Sequence, residues 1–530
     1  MSLQGLRSAR VTANKKPKGL LPRTFRDQID AIAMAICLAI GLKFFLVEAY
    51  EIPTPSMQPT LMGSTAAGVH DRILVNKAAW LLRKPHRFDI AVFRYPHNRS
   101  QNYVKRIWGL GGEHLCIIGG NVYKIFDGDT RAQDRYECLA KPDRVQEGLW
   151  RSVHDKPASD KDERLWQAGS AARWNFGSEG ITIEDTGRGA RAVFAFLETN
   201  LLSNLYEHGY PASIVDKIAL EAPRLEAGKR TVADLRWRME IQPDEKTRQI
   251  EVSQRDIYTQ GGNGPQLAHR SFRLTIDRQA DDKAQARLEI LEKPQGGAQA
   301  KVVASSQLTD LRLPTTRSFE LAFVKVDGQL KASVDGRTFD PLEIHWKGRP
   351  LPVAQVRLEL GVKGAKALRV LRNRLDRDIF YTNEKDHAGY VSEVRVPKGA
   401  CWMLGDNTQN SADGRAWRTV TLRVSDQGKL LEPKSKEGHE ITGNVRFHGS
   451  EAAWPPDPDE NPVVVPGQGV MVLTDLWGEE HRIHASIHQY ESLSRTENGL
   501  FVPEKYIIGR AFATFWPAVP WGQFRVGLIR

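Results

Sequence analysis

The chain has 530 residues, 75 of them Lys or Arg and 64 Asp or Glu, giving a formal net charge of +11, with 41% hydrophobic residues and four cysteines. This composition belongs to a folded protein of about three or four domains and excludes a disordered or collagen-like chain. The positive excess forms no aromatic-laced basic stripe, which argues against a nucleic-acid partner, and four cysteines in so long a chain make no disulfide scaffold.

Much of the excess lies in a basic tail, residues 1–28, where Arg7, Arg10, Lys15, Lys16, Lys18, Arg23 and Arg26 face only Asp27. Such a tail is either a solvated arm or the cytoplasmic flank of an anchor. Ile29 to Val47 is apolar apart from Asp30 and Lys43, and about nineteen residues at 1.5 Å each nearly cover a hydrocarbon core. The spacing predicts a transmembrane helix over 29–48, with Lys43 snorkelling to the far interface and the rest of the chain outside the cytoplasm. Val47-Glu48-Ala49 is a poor small-x-small site, and a cleaved leader is the open alternative.

Ser56 follows, flanked by Pro55 and Pro59, whose rings fix φ and hold the hydroxyl on a stiff, extended stretch. From Gly68 to Gly120 short apolar runs, Ile73-Leu74-Val75 and Ile90-Ala91-Val92-Phe93, alternate with turns and read as strands. Lys105 lies in a third such run, sharing a strand face with Tyr103 and Ile107, which bury its stem and amine. A serine hydroxyl needs a base to take its proton. The fourteen histidines are scattered, so Lys105 is the better candidate, provided desolvation lowers its pKa from about 10.4.

From 128 to 384 the pattern changes to many short alternating segments. Phe272, Leu274 and Ile276 alternate, as do Leu288 and Ile290, then Phe319, Leu321 and Phe323, then Leu330, Ala332 and Val334. With Asp327-Gly328 and Asp335-Gly336 at hairpin turns, they predict an inserted β-sandwich over 168–378. A second insertion, 419–498, holds a Pro-rich loop at Trp454–Pro458 and a strand at Gly469–Leu473. Cys37 lies in the apolar segment and no cysteine pair has metal-ligand spacing, so no metal and no cofactor are expected. Cys116 and Cys138 are available to pair after export.

Four stretches resemble one known family in its own order. They are the Ser56 stretch Ile52–Leu61, the lysine stretch Tyr103–Gly109, the Gly405-Asp406-Asn407 box running to Arg415, and the ending Val502–Phe512. Together they resemble the bacterial type I signal peptidases, the membrane-bound Ser–Lys leader peptidases. Asp89–Pro96 resembles the box ahead of the family's lysine strand, with Phe88 where the family has glycine. The resemblance implies a mainly β catalytic domain in three parts, 49–127, 385–418 and 499–530, behind a retained anchor.

It further implies Ser56 as nucleophile and Lys105 as base, with the Ser56 N–H and the Thr54 hydroxyl as oxyanion donors. Ser411 would orient the amine, Asp406 and Asn407 would complete the supporting box, and Asp413 with Arg415 would form a buried ion pair. Ile52, Met57, Leu61, Tyr103 and Val104 would line shallow substrate pockets. The implied substrates are the signal peptides of exported preproteins, cut at the outer face of the cytoplasmic membrane, with lipid as the second partner. The segment from Ala322 to Phe339 is similar to laminin-G or concanavalin-like jelly rolls, implying that the sandwich binds glycan or protein. Two rivals stand beside this reading. One is an anchored binding or adaptor protein with a vestigial peptidase domain. The other is a self-cleaving Ser–Lys protease of the repressor type, against which the apolar segment and the terminal box argue.

Overall fold

Apolar residues, alternating in one strand and consecutive in another, fix the core of the first sheet. Ile73 and Val75 turn inward from Arg72–Asn76, and Ile90, Ala91, Val92 and Phe93 are all buried in Ile90–Arg94. The computed structural model describes residues 23–65, 69–96, 98–127, 135–157, 166–168, 172–187, 189–194, 231–258, 267–279, 283–294, 299–315, 317–346, 348–381, 393–408, 411–444, 461–465, 467–498, 501–516 and 526–529. The basic tail ahead of Arg23 and the Pro-rich stretch Trp454–Pro458 lie outside these residues.

This first sheet is antiparallel, in the order Val47–Glu51, Arg72–Asn76, Ile507–Trp516, Ile90–Arg94, Asn102–Gly109, Ala400–Leu404, Phe501–Pro503. Strands from the start, the middle and the end of the chain therefore interleave in one layer. A second sheet, in the order Glu393–Arg395, His114–Ile118, Asn121–Ile125, Tyr136–Cys138, packs Leu115, Ile117 and Val122 into a core with Trp108 and Trp402. The described chain is mainly β, as expected.

Phe88 has φ 70°, a left-handed conformation that costs a side chain roughly 1–2 kcal/mol and that glycine adopts freely. Its ring stacks edge-on against Trp108 at 5.0 Å, and its N–H donates to the Ile107 carbonyl at 2.7 Å. The turn keeps its shape without the glycine because these contacts hold it.

The insertion is two antiparallel sheets face to face. One is built around Leu235–Gln242, Leu368–Arg377 and Phe319–Val326, the other around Val353–Lys363, Gln249–Tyr258, Leu267–Arg278 and Lys283–Pro294. Phe272, Leu274, Ile276, Leu288, Leu321, Phe323 and Leu330 all enter the shared core. Asp327 and Asp335 take positive φ ahead of Gly328 and Gly336, which is the conformation that tight hairpins require. Arg151–Pro157, upstream of 168, also joins the first sheet by pairing with Leu368–Arg377. In the second insertion, two small sheets share a core of Val420, Leu422, Ile441, Met471, Leu473 and Ile483.

The helix ends ahead of its expected boundary, and the cysteine pairing that the sequence leaves open is not made. The helix runs Arg23–Gly41 and continues as a π-helical turn, Leu42–Leu46, but Val47–Glu51 is a strand paired with Arg72–Asn76. Among the described residues no helix is long and apolar enough to cross a membrane, because Arg23, Arg26, Asp27 and Asp30 occupy the first turns of this one. Its apolar side chains, Ile29, Ile32, Met34, Ile36, Leu38 and Ile40, are nonetheless exposed. Cys116 and Cys138 are both free. Each lies opposite Tyr123 on either side of the strand Asn121–Ile125, so two strand spacings of about 4.8 Å separate them, beyond disulfide reach.

A buried ion network joins the sandwich to the region before it. Lys141 Nζ meets Asp327 at 2.6 Å and Asp378 at 2.8 Å, Lys325 meets Asp234 at 2.7 Å, and Asn121 Nδ2 donates to Asp234 at 2.7 Å. Asp234, Asp327 and Asp378 lie close enough together to repel strongly, and the two ammonium groups offset that charge. Lys141→Ala should therefore strand two buried carboxylates and cost about 3–5 kcal/mol in chemical denaturation. A loss under about 1 kcal/mol would mean that water already screens the cluster.

Candidate functional site

Ser56 lies in a single 3-10 turn, Pro55–Met57, entered from an extended Thr54 and closed by the Gln58 N–H on the Pro55 carbonyl at 3.1 Å. Met57, Ile52 and Leu61 fasten the turn to the sheet by packing with Ile73, Val75, Ile90 and Val92. That leaves Ser56 half-buried at the surface. The Thr54 hydroxyl lies 3.4 Å from Ser56 Oγ.

Strand alternation sends Lys105 and Arg106 to opposite faces. Lys105, 4% exposed, points Nζ at Ser56 Oγ at 2.8 Å and donates to the Val104 carbonyl at 3.1 Å. Its amine lies 5.7 Å from the centre of the Tyr103 ring, and Ile107 is buried on the same face. Burial pulls the Lys105 amine down to about 8, against Asp413 and Asp406, which both favour its charged form. The contact is thus between a hydroxyl and an amine that loses its proton near neutrality.

The Gly405 box grips this turn from the side. The Asn407 N–H donates to the Ser56 carbonyl at 3.1 Å and its side-chain amide to the Pro55 carbonyl at 3.0 Å. Asp413 accepts from the Gly405 N–H at 2.9 Å and from two nitrogens of Arg415 at 2.9 Å each, and Arg415 also donates to the Thr408 carbonyl at 2.8 Å. Both partners of this ion pair are fully buried. Ser411 is buried against Gly405, on the same loop as Asn407.

Arg106 was not singled out by sequence reasoning, where it reads as half of a basic Lys-Arg pair. It forms a bidentate pair with Asp406 at 2.8 and 2.7 Å, both residues buried. The usable signal was the alternation: if Lys105 faces the serine, Arg106 faces the interior and needs an acid. Of the expected pocket residues, Tyr103 stacks on Tyr95 at 4.3 Å and stays half-buried. Met57 and Leu61 are essentially inaccessible, at 1% and 0%, so they support the floor from beneath and present almost no surface to a ligand. Ile52 is likewise buried, whereas Val104 is half-buried.

The Asn102–Gly109 strand pairs with Ala400–Leu404 only from Arg106 onward. Asn102–Lys105 therefore has no partner strand on that side among the described residues.

The family model described as "Signal peptidase, peptidase S26" matches residues 25–146 and 331–426. A probable signal peptidase I-2 of Synechocystis is 30% identical over 162 residues, covering 29% of this chain and 71% of that protein. Signal peptidase I of Aquifex aeolicus is 39% identical over 88 residues, covering 17% of this chain but only 32% of its own length. Among solved structures, a Bacillus subtilis protein of unknown function with a galectin-like fold aligns with 44% of this chain and 98% of its own at 10% identity, with a TM-score of 0.28. The two-sheet architecture of the insertion is read from its own strand pairing.

A Cβ on Gly405 would stand 2.6 Å from the Ser56 carbonyl oxygen and collide with the Ser411 hydroxyl. Gly405→Ala should displace the serine turn and lower the unfolding midpoint, while a variant with an unchanged midpoint would show that the box yields. Titration of Lys105 by NMR of its ε-carbon should give a midpoint near 8, and a value near 10.5 would mean that the amine is hydrated.

Proposed function

The chain belongs to the signal peptidase family, peptidase S26, and is a serine endopeptidase of that type; from this premise we propose that it removes signal peptides from exported preproteins with Ser56 as nucleophile and Lys105 as general base. The observation that carries the proposal is the 2.8 Å contact between Ser56 Oγ and a desolvated Lys105 Nζ.

Neutral Lys105 takes the hydroxyl proton as Ser56 Oγ attacks the scissile carbonyl carbon. The resulting oxyanion is held by the Ser56 N–H and the Thr54 hydroxyl, and the Lys105 ammonium then protonates the leaving amine as the peptide bond breaks. Water, deprotonated by the same amine, attacks the acyl-enzyme ester and releases Ser56. Asn407 holds the turn by its two hydrogen bonds, and Asp413 with Arg415 keeps the Gly405 loop in place.

The substrate binds as an added strand along Asn102–Lys105, which satisfies its backbone and carries the scissile bond to the serine turn. The unpaired edge supports this placement. Tyr103 and Val104 contact the small side chains of the substrate, with Ile52, Met57 and Leu61 beneath. The helical segment Arg23–Leu46 anchors the enzyme in the cytoplasmic membrane, with the catalytic region on the outer side. The exposed apolar side chains of the segment, which have no protein core around them, support this. Anchoring raises the effective concentration of membrane-tethered substrates.

With an Ala-x-Ala preprotein as substrate, Ser56→Ala and Lys105→Ala should each abolish most turnover, and the double variant should lose little more. Near-normal activity in Lys105→Ala would sink the dyad. Thr54→Ala should lose roughly 10²-fold in kcat, whereas Thr54→Ser should remain active. Because the base acts neutral, kcat/KM should climb with pH and level off above about 8. A profile that is flat from neutrality upward would mean that the essential base is not an amine titrating near 8.

A further inference from the structure

The insertion reaches the nucleophile turn directly. Arg151 begins the strand Arg151–Pro157 of the sandwich sheet and lies opposite Arg377 in the register. Its side chain is buried, and Nη2 donates to the carbonyl of Gln58, two residues beyond Ser56. Gln58 is itself fully buried, and its own N–H closes the Pro55–Met57 turn. The turn is therefore held from two sides: by Asn407 of the Gly405 loop on the Pro55 and Ser56 carbonyls, and by Arg151 on Gln58.

This arrangement is poor as a device for stability. Arg151 Nε and Nη1 have no hydrogen-bond partner among the described residues, and neither do Nε and Nη2 of Arg377. Two like charges directly opposite each other on a buried face destabilise a sheet. Burial, reinforced by Arg377, pushes Arg151 down to about 9. A group that burdens the fold in this way, and whose one side-chain hydrogen bond among the described residues goes to the serine turn, is explained by what the turn needs.

We infer that Arg151 is a positioning residue for the peptidase reaction, fixing the turn so that Ser56 Oγ stays in line with Lys105 Nζ, and that the inserted sandwich is thereby part of the working enzyme. The inference rests on Ser56 being the nucleophile.

The test uses the full chain in detergent micelles, with kcat, KM and the thermal unfolding midpoint measured separately. Arg151→Met should lower kcat roughly 10- to 100-fold with KM within about twofold, as expected when a reacting group is displaced by a fraction of an ångström. Its unfolding midpoint should stay equal or rise, since a buried, poorly partnered charge is removed. Arg377→Met makes the same exchange one strand away without touching the turn. It should match the stability change and keep wild-type kcat. Arg151→Lys should recover part of the lost turnover, because an amine can still reach the Gln58 carbonyl.

A folded Arg151→Met enzyme with kcat within about twofold of wild type would overturn the assignment. So would a loss of turnover that only tracks a loss of folded protein. If Arg151→Met does not fold, Arg151→Gln, which is too short to reach the Gln58 carbonyl as the guanidinium does, decides by the same measures: a kcat reduced at unchanged midpoint supports positioning, and wild-type kcat refutes it. Ser56→Ala is run alongside. Activity surviving there would instead remove the nucleophile assignment, which separates failure of the premise from failure of the inference.

Discussion

A lysine amine kept out of water is the constraint on which the rest of this structure depends. Desolvation disfavours the ammonium, so Lys105 can hold a lone pair toward Ser56 near neutral pH, but the same burial destabilises any fold that pays no attention to its charges. The surrounding residues answer that conflict. Arg106 pairs with Asp406 and Arg415 with Asp413, so both nearby carboxylates are committed to guanidinium partners. Both acids still favour the charged amine, and burial outweighs them.

The architecture follows from bringing distant segments to that one point. Ser56, Lys105 and the Gly405 loop lie in separate stretches of chain, and the sandwich comes between the second and third. Its ends lie close together in space: Asp378 is bonded to Lys141 and Gln146, and Tyr381 donates its N–H to the Gly120 carbonyl and lies over Arg415 at 5.1 Å. A domain inserted at such a site needs neighbouring ends, and this one converts the junction into contacts with the site itself.

Much of this was legible in the sequence, for identifiable reasons. Alternation exposed the sandwich strands, because a two-layer fold buries one face of every strand. The Asp-Gly pairs marked hairpins, because few other residues tolerate positive φ. Short motifs singled out Ser56, Lys105 and the Gly405 box, which the fold brings together. What stayed hidden was long-range and polar. Arg151, Arg106 and Lys141 look like ordinary surface cations until the strand that carries each one is placed against its partner. The helix end was misjudged because apolarity continues through Val47, while the chain there is recruited as a strand by Arg72–Asn76. That Met57 and Leu61 lie beneath the Ser56 turn is equally hidden, because hydrophobicity beside a turn cannot distinguish a wall from its foundation.

One feature of the catalytic sheet bears on how the protein comes to exist. The strand Ile507–Trp516 lies between Arg72–Asn76 and Ile90–Arg94, far from both in the chain. Until it arrives, the N-terminal strands have a gap at their centre, and the layer that carries Lys105 is open along one edge. The layer that carries Lys105 is therefore continuous only once strands far apart in the sequence have met, which makes its completion a long-range step in folding.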